Sequence, residues 1–206
     1  MDTYDPCWWQ HIFDETYLIT DARSVCCPKT TAAEVDMVED SLSLSFHDRI
    51  LDLCGGQGRH AVELHKRGYK YITVVDYSLV LLKIGAHDAA KARCSINFCR
   101  GNACELGLAD AIFDAVLVLG NSFGYFEDDR RNQHILREIC RLLRPGGKVL
   151  LDLVHSDYVR EHFTASSWHE ANDDVVVCRQ RKLRTDGILV REIVLSKKRG
   201  LIRDAS

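Results

Sequence analysis

A glycine-rich turn directly follows a short apolar segment in the first third of the chain. The segment Ile50–Leu53 runs into Cys54-Gly55-Gly56-Gln57-Gly58. Glycine accepts positive φ angles and lets the backbone come close to a ligand, and the helix after such a turn points free N–H groups at that ligand. About twenty residues further on, a second apolar segment ends in Asp76, whose carboxylate can accept hydrogen bonds from both hydroxyls of a ribose. Together, the turn and the acid predict a site for an adenosine-containing cofactor.

The residues of this turn leave two classes of cofactor open. Gly56–Ala61 fits the G-x-G-x-x-A pattern of nicotinamide dinucleotide enzymes, so an NAD(P)-dependent oxidoreductase is one alternative. Asp52 argues against it, because the strand entering a dinucleotide turn is usually wholly apolar and a carboxylate there would repel a pyrophosphate. A cofactor with a cationic amino group would instead favour an acid at this position.

Strands and helices alternate from residue 50 onward. Short β-branched and apolar runs predict five strands: Ile50–Leu53, Tyr71–Val75, Ile96–Cys99, Ala111–Leu119 and Lys148–Val154. Helical segments connect them, and Ser78 is placed to cap one of these helices. Such an order predicts an α/β fold with a doubly wound, mostly parallel sheet of the Rossmann-like kind.

The two ends of the chain have different patterns. A first helix is expected from Asp5-Pro6, a loop over 20–29, and a second helix from a capping box at Thr31–Glu34. Near the other end, Val175–Lys182 and Ile188–Leu195 flank the turn signal Thr185-Asp186-Gly187. This hairpin is expected to be antiparallel and either to complete the main sheet or to lie over its ligand-binding edge. We therefore expect a helical segment over 1–45 that covers the site, a cofactor-binding core over 46–156 and a β extension over 157–206.

Composition excludes several partners. The net charge of −3 over 206 residues, without a basic cluster, predicts no nucleic-acid partner. The nine cysteines form no CxxC pair, so we predict no metal site and reduced thiols. The chain has no apolar run long enough for a membrane span and no signal-peptide pattern, which predicts a cytoplasmic protein without a membrane partner.

Five segments in this order resemble the motifs of class I S-adenosylmethionine-dependent methyltransferases, in particular the branch that acts on small molecules. ILDLCGGQGRH (50–60) is similar to the first motif, VVDYS (74–78) to the second, and GNA (101–103) stands where many members have Gly-Asp-Ala. FDAVLVLGNSFGYF (113–126) resembles the fourth motif, and LREICRLLRPGGKVLLDL (136–153) resembles the helix, turn and fifth strand of that family. The resemblance implies methyl transfer from S-adenosylmethionine to a small-molecule acceptor, with S-adenosylhomocysteine as product.

The resemblance also implies which residues hold the cofactor. Those beside its methionine part, at the turn, are Asp52, Cys54, Gly55, Gly56 and Gly58. Asp76 with Tyr77 would hold the ribose, and Asn102 with Ala103 would meet the adenine. Leu119 and Asn121 would flank the sulfonium, and Tyr17 of the N-terminal segment would cover the site.

A general base is needed only if the acceptor arrives with a proton on its nucleophilic atom. The candidates are His155 after the fifth strand, and Asn121 and Tyr125 after the fourth. Asn121-Ser-Phe-Gly-Tyr125 differs from the Asp-Pro-Pro-Tyr type of amino-methylating nucleic-acid enzymes, which again favours a small molecule.

The family usually continues beyond this length with a helix and a final strand pair. Either the predicted hairpin replaces those strands, or a partner covers the edge of the sheet, in which case we expect a homodimer. The short C-terminal part also leaves open a non-catalytic member that serves as a partner subunit.

Overall fold

The computed structural model describes residues 5–185 and 187–206 and groups them into two compact units. One unit is Val25–Leu153. The other combines the described residues up to Ser24 with Val154–Ser206. The predicted segments 1–45, 46–156 and 157–206 divide the chain at other positions and stay a prediction about domains.

The unit Val25–Leu153 is built on a parallel sheet of five strands in the order β3-β2-β1-β4-β5, which confirms the predicted fold class. The strands are β1 (Arg49–Leu53), β2 (Tyr71–Asp76), β3 (Asn97–Arg100), β4 (Phe113–Val118) and β5 (Leu143–Leu151). Its long helices are α3 (Pro28–Leu42), α4 (Arg59–Lys66), α5 (Leu79–Lys91) and α6 (Asp129–Leu142). Ser78 caps α5, as predicted, because its Oγ accepts the Leu81 N–H at 3.2 Å.

The core lies on both faces of the two central strands. Ile50 and Leu117 pack with α3 and α4 residues on one face, whereas Leu51 and Val116 pack with α6 residues on the other. Successive strand residues point to opposite faces of the sheet. Because helices cover both faces, the residues on each face are fully buried. This two-sided burial fixes the ends of β1, β2 and β4 at one edge of the sheet, where polar side chains can meet.

Two local predictions about the helices and strands of this unit are wrong. Helix α3 begins at Pro28, so Thr31–Glu34 is not a capping box; the Thr31 hydroxyl donates to the Cys27 carbonyl at 3.1 Å instead. Proline at the first helical position favours this earlier start. The Arg144-Pro-Gly-Gly147 stretch lies inside β5, where the pairing with β4 shifts register, rather than before that strand.

The remaining unit begins with short helical pieces rather than with the single helix predicted from Asp5-Pro6. A 3₁₀ turn at Trp8–Gln10 is followed by α1 (Glu15–Thr20), which Asp14 caps, and by α2 (Ala22–Val25). The predicted loop over 20–29 is therefore mostly helical. Asp14 explains the break, since its side chain accepts the Thr16 and Tyr17 N–H groups and starts a new helix.

The C-terminal part forms a separate antiparallel sheet in the order β6-β7-β8-β9, preceded by α7 (Ser156–Glu161). Its strands are β6 (Ser166–Glu170), β7 (Val175–Leu183), β8 (Ile188–Ser196) and β9 (Gly200–Ala205). The predicted hairpin is confirmed as β7 and β8, although Asp186 of its turn lies outside the described residues. The hairpin belongs to this second sheet, so the prediction that it completes the main sheet is wrong. Within residues 5–185 and 187–206, no helix combines the length and the apolar character needed to cross a bilayer.

Candidate functional site

The turn after β1 requires glycine for two different reasons. Gly56 and Gly58 have φ angles of +56° and +70°, which side chains rarely adopt. At Gly55 the obstacle is contact, because an added Cβ would lie 2.7 Å from the Asp52 carboxylate carbon. Cys54 is a non-glycine residue at φ +59°, and burial raises the pKa of its thiol. The turn therefore brings backbone and the Asp52 carboxylate together at the end of β1.

Asp76, at the end of β2, is fixed by backbone donors. One carboxylate oxygen accepts the Gly56 N–H and the other accepts the Ser78 N–H, each at 2.8 Å. Burial raises the pKa of Asp76, and the backbone N–H groups of Ser78, Gly56 and Tyr77 oppose that shift. Beside it, the Arg100 guanidinium stacks over the Tyr77 ring at 5.2 Å from the centroid. This acid therefore joins the glycine turn to the start of α5, and its remaining lone pairs can accept ligand hydroxyls.

Asp52 is a buried acid whose charge is only partly compensated. It is 1% exposed, and neither carboxylate oxygen has a hydrogen-bond partner among the described residues. Burial and the charge of Asp76 raise its pKa, whereas the charges of His60 and Arg59 and the Ala61 amide lower it. Burying an ionised carboxylate without a partner is expensive, so a ligand cation is the group that fits here.

Two basic residues missed from the sequence lie in the first turn of α4. Arg59 and His60 both pair with Oε2 of Glu34 on α3, with His60 Nε2 at 2.9 Å. Arg59 also donates to the Thr31 hydroxyl at 3.0 Å. Desolvation would raise the pKa of Glu34, but these bonds outweigh it and lower the pKa to about 2. The signal available in the sequence was the placement of two basic residues at a helix N-terminus, where the helix dipole disfavours positive charge.

The predicted adenine contacts lie in a tight turn after β3. The Asn102 side chain accepts the Cys104 N–H at 3.1 Å, as asparagine commonly does in turns. Ala103 is half-buried against the cluster that contains Leu53 and Val75. The turn places both residues after the strand next to β2, and their contact with adenine stays a prediction.

The end of β4 has an unusual backbone. Leu119 is buried, and Gly120 and Asn121 follow with φ angles of +64° and +57°. Asp152, after β5, accepts the Gly120 N–H at 3.0 Å and so fixes this bend. Tyr125 is half-buried four residues beyond Asn121. The assigned roles of Leu119, Asn121 and Tyr125 stay predictions.

Two further predicted site residues belong to the other unit. His155 caps α7, because its Nδ1 accepts the Tyr158 N–H at 3.3 Å. Tyr17 lies in α1, and its ring packs edge-on against Phe13 with 5.1 Å between the centroids. The structure thus gives both residues local roles, and their catalytic and covering roles stay predictions.

The unit Val25–Leu153 brings Asp52, the glycine turn and Asp76 to one edge of a doubly wound sheet. Parallel sheets of this kind bind nucleoside ligands at the carboxyl ends of their strands. A buried acid without a partner, next to an acid fixed by backbone N–H groups, fits a cofactor that carries both an ammonium group and a ribose. These features define the Rossmann-like class of nucleoside-cofactor proteins.

Comparisons with known proteins narrow that class. Residues 50–147 match a family described as a methyltransferase domain. A protein of Geobacillus sp. (strain WCH70) named as a methyltransferase is 33% identical over 129 residues, which are 62% of this chain and 51% of that protein. A demethylmenaquinone methyltransferase of Mycolicibacterium vanbaalenii is 34% identical over 113 residues, 54% of this chain and 44% of that protein.

A solved structure extends the similarity beyond the matched segment. An S-adenosylmethionine-dependent methyltransferase from Clostridium acetobutylicum has a TM-score of 0.73 at 16% identity, covering 92% of this chain and 76% of that chain. Residues 50–147, just under half of the chain, therefore match a methyltransferase domain, as the resemblance of the five motifs predicts, and the solved structure shows the same fold. The chain spans about half the length of the two curated relatives.

Proposed function

We propose that this protein transfers the methyl group of S-adenosylmethionine to a small-molecule acceptor. The observation that carries the proposal is the Asp52 carboxylate, which is 1% exposed and has no hydrogen-bond partner among the described residues. A cationic amino group at this position compensates the buried charge, whereas the pyrophosphate of a nicotinamide cofactor would be repelled. The relatives named as methyltransferases support the same activity.

The residues of the site have distinct roles in this proposal. Asp52 binds the cofactor's ammonium group, and Asp76 accepts the ribose hydroxyls while its bonds to Gly56 and Ser78 hold it in place. Asn102 and Ala103 lie beside the adenine. S-adenosylmethionine supplies an electrophilic methyl group, so the chief task of the protein is to align the acceptor behind it. Orientation alone can lower a barrier by about 7 to 11 kcal/mol.

The acceptor determines whether a base takes part. A phenol, alcohol or ammonium group must lose its proton, and Asn121, Tyr125 and His155 are the candidates for that step. Tyr125 and Asn121 follow the bend at the end of β4. His155 already uses Nδ1 as a helix cap, which leaves Nε2 as its only nitrogen for proton transfer.

Calorimetric titration of the purified protein tests the proposed cofactor. We expect S-adenosylhomocysteine to bind with micromolar affinity and NADH to give no heat. Binding of NADH alone would favour the oxidoreductase that the G-x-G-x-x-A pattern left open. Binding of S-adenosylhomocysteine without methyl transfer to any metabolite pool would favour the non-catalytic partner subunit.

We further propose a cytoplasmic protein that binds no nucleic acid. None of the nine cysteines, all of which lie in the described part of the chain, forms a disulfide, which suits a reducing compartment. The net charge of −3 disfavours a phosphate backbone as partner. The absence of a shift in electrophoretic mobility of DNA and RNA at low salt is the expected result.

We also propose a homodimer in which the edge strand β5 of the main sheet is covered by a second copy of the chain. Strand β5 pairs only with β4 among the described strands, and its Val149 is 41% exposed. Open edges of this kind invite pairing with another chain. Light scattering should give the mass of a dimer for the wild type and of a monomer for Val149→Lys. Met37→Lys, at a residue of similar exposure on α3, is the matched control and should leave the dimer intact.

A further inference from the structure

Arg59 and His60 occupy an unfavourable place. They are the first two residues of α4, whose N-terminal end carries the positive pole of the helix dipole and has no acidic residue in its first turn. Both side chains are largely buried, with 13% and 6% exposed. A purely structural helix start would place acids or small polar residues here. The two cations therefore need an explanation outside α4.

Glu34 of α3 supplies the compensating charge for both residues. Its Oε2 atom accepts from Arg59 Nη1 and lies 2.9 Å from His60 Nε2. Thr31, one turn earlier on α3, accepts a second bond from Arg59 Nη1 at 3.0 Å. One carboxylate oxygen thus holds two neighbouring basic side chains in fixed positions on the α3 side of α4.

Asp52 lies within the electrostatic reach of the same two residues and yet bonds to neither. The charges of His60 and Arg59 both lower the pKa of Asp52, while burial and the charge of Asp76 raise it. Neither Asp52 oxygen has a hydrogen-bond partner in the described part of the chain. An arginine whose charge acts on a buried carboxylate would be expected to pair with it, since a charge without a partner is costly there.

We propose that Glu34 is a positioning residue that holds Arg59 and His60 away from Asp52 and so keeps the Asp52 carboxylate available for the amino group of the cofactor. The proposal rests on the proposed function, because it assumes that a cofactor ammonium group binds Asp52. Without the Glu34 carboxylate, Arg59 would lose its main acceptor, and Asp52 is a buried carboxylate whose pKa the Arg59 charge already lowers. An Arg59–Asp52 pair would then compete with the cofactor.

The test uses two ligands that differ in the group at issue. S-adenosylhomocysteine carries the amino acid part, whereas 5′-methylthioadenosine has the same nucleoside and sulfur without the ammonium group. For Glu34→Gln we expect the dissociation constant of S-adenosylhomocysteine to rise about tenfold or more, which is the usual size of one charge-assisted hydrogen bond. The dissociation constant of methylthioadenosine should change less than about twofold, because the ribose and adenine contacts remain.

Glu39→Gln is the matched control. Glu39 is also on α3 and also pairs with an arginine at α4, Arg67, but at the helix end opposite to Arg59. Glu39→Gln should leave the dissociation constants of both ligands unchanged. The double variant Glu34→Gln/Arg59→Met removes the released cation and should recover most of the lost affinity for S-adenosylhomocysteine.

Three results would overturn the proposal. The first is that Glu34→Gln binds S-adenosylhomocysteine as tightly as wild type. The second is that it loses affinity equally for both ligands, and the third is that Glu34→Gln and Glu39→Gln have equal effects on affinity. The last two would mean that Glu34 only joins α3 to α4. If Glu34→Gln does not fold by circular dichroism, Glu34→Asp retains the charge with a shorter reach and should show the same ligand selectivity in weaker form. Failure of wild-type protein to bind S-adenosylhomocysteine would instead contradict the proposed function itself.

Discussion

The two units treat a buried acid in opposite ways. In the antiparallel-sheet unit, Glu192 is 5% exposed and its carboxylate pairs with both Arg179 and Arg203. These arginines also reach Asp21 and Asp14 at the two ends of α1, so each charge has a partner. In the parallel-sheet unit, Asp52 is buried at least as deeply and has no hydrogen-bond partner among the described residues.

The difference separates a structural acid from a binding acid. Paired charges such as Glu192 join β7, β8, β9 and α1, and they are already compensated within the protein. An unpaired carboxylate destabilises its own unit until a cation arrives, and that cost becomes binding free energy when the ligand compensates the charge. Asp76 lies between these cases, because two backbone N–H groups fix it without neutralising it.

The largest expected effect is on the stability of the antiparallel-sheet unit. Glu192→Gln leaves Arg179 and Arg203 without their shared buried carboxylate, and we expect the free energy of unfolding to fall by about 3 to 5 kcal/mol. Urea denaturation measures it. A loss below 1 kcal/mol would remove the contrast between the paired and the unpaired acid.

Gly55→Ala should have the next largest effect, and this substitution lies within the candidate cofactor site. The added methyl group meets the Asp52 carboxylate and Val74 at under 3 Å, so we expect a destabilisation of about 1 to 3 kcal/mol. Affinity for S-adenosylhomocysteine should fall as well, since Asp52 must move. The control is Gly107→Ala, where an added Cβ meets nothing within 4 Å. Equal affinities of Gly55→Ala and Gly107→Ala for S-adenosylhomocysteine would contradict the close packing of Gly55 against Asp52.

A third prediction concerns the pH dependence of cofactor affinity. Burial raises the pKa of Asp52, and the amino group of the cofactor requires the ionised form. Affinity for S-adenosylhomocysteine should therefore fall as the pH drops through this raised pKa, by up to tenfold per pH unit. Methylthioadenosine, which lacks the amino group, should show a flatter titration. Parallel slopes for the two ligands would assign the pH dependence to another residue.

The smallest effect concerns stability in acid. The pKa of Glu34 is lowered from 4.5 to about 2 by His60 and Arg59 in spite of desolvation. A lowered pKa in the folded state means that the ionised acid stabilises the fold above pH 4.5, and that this contribution is lost as the pH falls from 4.5 to about 2. The difference in unfolding free energy between wild type and Glu34→Gln should shrink across that window. A difference that stays constant would show that the pairing contributes nothing.

The positions of several candidate site residues could be predicted because their signals are local. The glycine turn, Asp52 and Asp76 follow from short patterns whose chemistry depends on the backbone around them, and Ser78 follows from helix capping. The role of Glu34 could not be predicted, because the sequence pattern Thr31–Glu34 matches a capping box. Helix α3 instead begins earlier, at Pro28, so the Glu34 side chain does not cap its own helix and pairs with Arg59 and His60 of α4. The separate sheet of β6 to β9 was missed for a similar reason. Alternation along Val175–Leu183 predicts a strand but does not reveal which strands pair with it.

The most direct test compares wild type with Asp52→Asn by calorimetric titration with S-adenosylhomocysteine at pH 7, with thermal unfolding recorded for both. We predict that the variant loses affinity by about a hundredfold, while its melting temperature stays equal or rises because an uncompensated buried charge has been removed. Unchanged affinity for S-adenosylhomocysteine, or a strongly lowered melting temperature, would contradict the claim that this carboxylate is held without a partner to receive the cofactor.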